Sequence, residues 1–116
     1  MIEVREYIDA RKRIPYREWI DTLDAGTQVR VVSAVLRLEL GNFSAAKPVS
    51  AGLSELRIDF GPGYRIYFGK DGEQLVILVG GGTKRRQQAD IDTAKALWAE
   101  YKRRKTEEAN AAHKKL

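Results

Sequence analysis

The chain has 116 residues, 43% of them hydrophobic, enough for one domain with one modest core. It has no cysteine and a single histidine, His113, in a polar stretch, so disulfides, thiolate metal sites and histidine-based acid–base sites are excluded. The net charge of +5 is unevenly placed: residues 1–56 hold eight Lys/Arg and eight Asp/Glu, residues 57–105 hold eleven against six, and the remainder balances. A positive excess confined to one part of a small domain points to a polyanionic partner, most often nucleic acid. No apolar run reaches membrane-spanning length, and the opening MIEVREYIDARK lacks the basic-then-apolar layout of a signal peptide, so a cytoplasmic protein without membrane contact is expected.

IEVREYI alternates, with Ile2, Val4 and Glu6 on one side, and reads as a half-buried strand. Pro15 suits the first turn of a helix whose Tyr16, Trp19, Ile20 and Leu23 recur at helical spacing. Asp24 or Thr27 can cap a second helix, lined on one side by Val29, Val32, Leu36 and Leu40 and stopped at Gly41-Asn42. Residues 12–41 thus predict a helical hairpin.

From Leu53 the period changes to two. LSELRIDF sets Leu56, Ile58 and Phe60 on one face against Glu55, Arg57 and Asp59. After the turn signal Gly61–Gly63, YRIYFGK adds Tyr64, Ile66 and Phe68 to the first face and Arg65 and Tyr67 to the second. Asp71-Gly72 marks a hairpin, and QLVILV is apolar enough for a central strand. Asp90 can cap a last helix with Ile91, Ala94, Trp98 and Tyr101 on one face, and KRRK (Lys102–Lys105) at its end suits a helix C-terminus. The tail 106–116 has no apolar stripe and is expected to fray, leaving one domain over 1–105. The predicted class is α+β: an antiparallel sheet in the order β-α-α-β-β-β-α, with the hairpin on one face, a C-terminal helix, and an open face carrying Arg57, Asp59, Arg65 and Tyr67.

Between the apolar strand and the last helix lies GGGTKRR, Gly80–Arg86. It lacks the Gly-Lys-Ser/Thr of a nucleotide-phosphate loop, and no parallel βαβ unit surrounds it, which excludes a nucleotide cradle. The glycines can let the strand bulge or bend; the three cations that follow need another reason. For Arg57 and Arg65 the plain alternative is ion pairing with Asp59 and Glu55 on the sheet face.

GYRIYF (Gly63–Phe68), an apolar strand, and then GGGTKRRQQADI (Gly80–Ile91) together resemble the RelE/ParE superfamily of type II toxins, and within it the HigB-related "addiction module killer protein" group. The likeness spans about Ile2 to Lys105. It implies a cytoplasmic toxin that enters the ribosome and cuts messenger RNA without metal or cofactor until an antitoxin neutralises it. The antitoxin of this group is a small helix-turn-helix protein, and the toxin reaches operator DNA only through the complex. On that resemblance Arg65 clamps the scissile phosphate, Lys84 is the base that takes the 2′-hydroxyl proton, and Arg85 stabilises the transition state. Arg57, Lys70 and Arg86 bind RNA phosphates, and Tyr67 stacks on a base. The place where relatives carry a tyrosine or histidine as proton carrier falls near Ile91. That departure keeps two alternatives open: a ParE-like toxin acting on DNA gyrase without nuclease chemistry, and an inactive relative that only binds antitoxin and operator.

Overall fold

Alternation becomes sheet where it was expected. In the computed structural model, which describes residues 1–114, β3 (Leu53–Ile58), β4 (Tyr64–Asp71) and β5 (Leu75–Thr83) pair antiparallel in sequence order. Around them lie β1 (Glu3–Glu6), α1 (Pro15–Ile20), α2 (Ala25–Glu39), β2 (Ala46–Ser50), a 3₁₀ turn (Lys84–Arg86) and α3 (Gln87–Lys114). The class is α+β, with a five-stranded sheet in the order β1-β5-β4-β3-β2 and a C-terminal helix. β1 runs parallel to β5, placing Glu3 opposite Leu75.

Four features depart from the expected architecture. The parallel pairing of β1 with β5 makes the sheet mixed where an antiparallel one was expected. β2 is an additional strand, antiparallel to β3 at the sheet edge. Its sequence AKPVS is short and carries Pro48, which an edge strand tolerates because one side needs no ladder donor. The helical hairpin expected over residues 12–41 is not confirmed: α1 has six residues and rests on β5, whereas α2 has fifteen and packs against β1 and β3. α3 continues through residues 106–114 as an exposed helix, where fraying was expected. EEANAAHK is rich in strong helix formers, so it extends an existing helix without an apolar stripe. Residues 115–116 of the expected tail lie outside the described residues. Among the described residues no helix is long and apolar enough to cross a membrane.

Both faces of the sheet are covered. On one, Tyr16, Ile20, Val31, Ala34 and Leu38 of the two N-terminal helices close over Leu56, Ile66, Phe68, Val76 and Leu78. On the other, Ala94 and Trp98 of α3 close over Leu53, Tyr67, Ile77 and Val79, with Tyr7 alongside. The face expected to be open is therefore a second core, and this double burial explains the uninterrupted LVILV. Asp24 caps α2, accepting a hydrogen bond from the Thr27 N–H at 2.8 Å. The buried stripe of α2 is Thr27, Val31, Ala34 and Leu38; the expected set Val29, Val32, Leu36 and Leu40 faces solvent. The helix is apolar on two opposite sides, and only the sheet chooses between them.

Two of the three glycines of GGGTKRR, Gly81 and Gly82, are placed by close approach. A shift of register in the β4–β5 ladder lies just before Gly80. The Trp19 ring lies on Gly81, where a Cβ would come 2.3–2.6 Å from ring carbons, and the Asp90 carboxylate meets Gly82. On the opposite face Trp98 lies on Gly69 in the same way. A rigid indole cannot yield as a flexible side chain can, so Gly81→Ala is expected to cost about 1–3 kcal/mol in thermal unfolding. Gly80→Ala, with nothing within 4 Å of its added carbon, should be far milder. Equal stabilities for the two variants would show that Trp19 does not require this glycine.

Polar clamps hold α3 on both sides. Tyr101 and Lys105 donate to Asp71 at the end of β4, and Tyr7 donates to Glu100 while Arg104 donates to the Ile8 carbonyl. The hydrogen bonds from Lys105 and then Tyr101 hold the Asp71 carboxyl below its ordinary value. A depressed folded value means that this stabilisation is present above the unfolded aspartate pKa and is lost as pH falls through the folded one. Asp71→Asn should therefore melt below the wild type at pH 7 and together with it near pH 2; a gap that does not change with pH would refute the ionic clamp.

Candidate polyanion-binding site

Register assembles the site. On the α3 side of the sheet, Arg57, Arg65 and Gly82 face one another across β3, β4 and β5, and Glu55, Tyr67 and Gly80 form the next row. At the β5 end of the first row, Gly82 leaves room for Asp90 in the N-terminal turn of α3, whereas Gly80, at the end of the second, has open space above it. The 3₁₀ turn is pinned beside this end of the sheet, because the Lys84 N–H donates to the Gly63 carbonyl at 3.1 Å. Lys84, Arg85, Arg86 and Arg57 are all exposed there. Tyr64, opposite Thr83 and only half-buried, stands beside the Gly61–Gly63 loop.

Beneath this rim the chemistry changes. Arg65 is 5% exposed, and its Nε lies 3.3 Å from the Glu55 carboxylate, itself buried. The Nε–H is not aimed along that approach, so the contact is an ion pair that leaves this donor without a hydrogen bond. Gln87 at the start of α3 donates to Glu55 at 3.0 Å, closing the row from above. Tyr67 is fully buried with an unpartnered hydroxyl. Burial, then the negative charges of Glu55 and Asp90, pushes that hydroxyl up to about 12.

These placements revise three expectations. Arg65 is enclosed by Glu55, Gln87 and α3, so it meets no ligand in this arrangement; its sheet-face pairing with Glu55 is present. Tyr67 cannot stack on a base, because α3 covers it. Lys70 belongs to neither row: it sits near the far end of β4, on the opposite face, with its ammonium 4.8 Å from the centre of the Phe43 ring. Arg57, Lys84, Arg85 and Arg86 do share one end of the sheet. Ile91 packs against the α3-side core, as an apolar residue should.

Two residues that sequence reading had assigned otherwise stand at this end. Tyr64, expected in the core, is at the rim. Asp90, expected as a helix cap, lies inside the first turn of α3 because the helix begins at Gln87. Burial raises its carboxyl above the ordinary aspartate value, against the opposing pull of Arg86. Asp90 stands one residue before Ile91, where the expected proton carrier was missing. The spacing of Asp90 from the glycine run was visible in the sequence, but its approach to Gly82 was not. Among the described residues no group of three or more His, Cys, Asp or Glu side chains is placed to hold a metal ion.

Comparison with known proteins places the chain in a family. The family model described as "Phage derived protein Gp49-like (DUF891)" matches residues 18–99, which include every candidate residue named above. The chain is also 37% identical over 91 residues to an uncharacterized protein of Haemophilus influenzae (strain ATCC 51907 / DSM 11121 / KW20 / Rd), an alignment covering 78% of this chain and 92% of that protein.

Proposed function

The chain belongs to the phage-derived Gp49-like family, which is of the addiction-module killer, RelE-like toxin type, and we propose that it is a toxin that cuts messenger RNA on the ribosome, held in check by a small helix-turn-helix antitoxin. The observation that carries this reading is the gathering of Arg57, Lys84, Arg85 and Arg86 on one exposed end of the sheet, next to the half-buried Asp90 carboxyl that rests on Gly82. In the proposed reaction the Lys84 amine takes the 2′-hydroxyl proton, and the 2′-oxygen attacks the adjacent phosphorus. Arg85, Arg86 and Arg57 offset the charge on the pentacoordinate phosphorane. The 5′-oxygen leaves with the Asp90 proton, giving a 2′,3′-cyclic phosphate and a free 5′-hydroxyl. Tyr64 takes the base-stacking role first given to Tyr67. Arg65 acts from below as a positioning residue, through its pair with Glu55.

The experiment is primer extension on cellular messenger RNA after brief induction. New ends within translated codons, absent with Lys84→Ala, are the expected result. Growth arrest without new ends would favour the second reading, a ParE-like toxin that binds gyrase. The burial of Arg65 favours that alternative, since an enclosed arginine is not available to clamp a phosphate.

A further inference from the structure

We propose that the outer face of α2 is the docking surface for the antitoxin, which meets it with an amphipathic helix carrying apolar side chains flanked by carboxylates; this rests on the toxin reading above. Val29, Val32, Leu36 and Leu40 are 65%, 56%, 50% and 66% exposed. Among the described residues they make up four of the six exposed large hydrophobic side chains, the others being Met1 and Ile8. Their spacing of three, four and four residues sets them in one stripe, directly opposite the buried Val31, Ala34 and Leu38. A helix apolar on both faces is ordinarily covered on both. Beside the stripe, an open groove has Val4, Val35 and Leu78 in its wall, Val32 and Leu36 at its lip, and Glu6, Arg17 and Glu39 on its polar side, so it takes an apolar side chain of the partner and not one of its carboxylates.

Charge selects the occupant. Arg30 and Arg37 follow Val29 and Leu36 by one residue each and form a row along one border of the stripe. Neither belongs to any ion pair among the described residues, although the Arg30 guanidinium lies over the Phe60 ring, 4.4 Å from its centre. A second copy of this chain also carries +5, and antiparallel packing of two α2 helices would set the Arg30 and Arg37 rows against each other. Carboxylates on a different chain offset that row instead. A stable interface takes about 800 Å² per partner, more than four side chains supply, so the partner must continue from the stripe into the groove toward β1.

The test is calorimetric titration of this chain with the purified antitoxin encoded beside its gene. Val32→Glu/Leu36→Glu is expected to keep the wild-type melting temperature, since both side chains are exposed, and to weaken binding about a hundredfold. Arg30→Glu/Arg37→Glu should weaken it about tenfold and increase its sensitivity to salt in the reverse sense. Lys102→Glu, on α3 across the sheet, should leave it unchanged. Wild-type affinity in both α2 variants overturns the docking surface while leaving the toxin reading intact. Sedimentation of the chain alone as a dimer that Val32→Glu/Leu36→Glu dissociates would assign the stripe to self-association and overturn the proposal. If the antitoxin fails to bind the wild type, or to relieve its growth arrest, the toxin reading itself falls.

Discussion

Arg65→Ala is expected to lower the melting temperature by about 15 °C, because removing one member of a buried ion pair costs about 3–5 kcal/mol. The cost comes from the residue left behind. Glu55 is held under α3 with Arg65 and Gln87 as its polar neighbours, and without the guanidinium a carboxylate stays in a poorly solvated place. Removing both charges should be much milder, so Glu55→Leu/Arg65→Met is expected to recover most of the loss. Thermal unfolding of the two variants decides the matter. If Arg65→Ala melts like the wild type, the pair is not structural, and Arg65 regains its role as a phosphate clamp. If it melts early, loss of cleavage in that variant says nothing about chemistry, and Arg65 is a poor first choice for testing the nuclease reading.

Lys84→Ala and Arg85→Ala are the informative pair, each expected to slow RNA cleavage by about 10²–10³-fold with the melting temperature unchanged. Both side chains are exposed on the 3₁₀ turn, and among the described residues neither makes an ion pair or a side-chain hydrogen bond; the turn is held by the Lys84 backbone N–H on the Gly63 carbonyl. Purified variants assayed on translating ribosomes would measure this directly; cleavage within a few-fold of wild type in both would remove the cationic turn from the reaction. Asp90→Asn carries a second signature. A carboxyl whose folded pKa is raised binds its proton more tightly in the folded state, so stability falls as pH rises from the ordinary aspartate value through the folded one. Asparagine removes that penalty. The variant should therefore be slower in cleavage yet more stable than the wild type at pH 7, and a less stable variant would count against burial as the source of the shift.

The sequence by itself determined the features that depend on near neighbours. The alternation of LSELRIDF and YRIYFGK, the turn at Asp71-Gly72, the Asp24 cap and the stripe Ile91–Ala94–Trp98–Tyr101 all appear as elements of the fold, since each is a matter of period, turn or cap within a few residues. The clustering of Arg57 with Lys84, Arg85 and Arg86 was legible for the same reason: each lies near a strand end that a meander brings together. Tertiary structure alone decided which surfaces close. Periodicity records which residues share a face and is silent about what covers it, so Arg65 and Tyr67 read as an open face until α3 lay across them, with Trp98 on Gly69 and Asp90 on Gly82. α2 offered two apolar stripes, and packing on the sheet selected Val31, Ala34 and Leu38, leaving Val29, Val32, Leu36 and Leu40 in solvent. The parallel pairing of β1 with β5 joins segments about seventy residues apart, and no local pattern encodes a contact whose cost is chain entropy and whose reward is burial in a shared core.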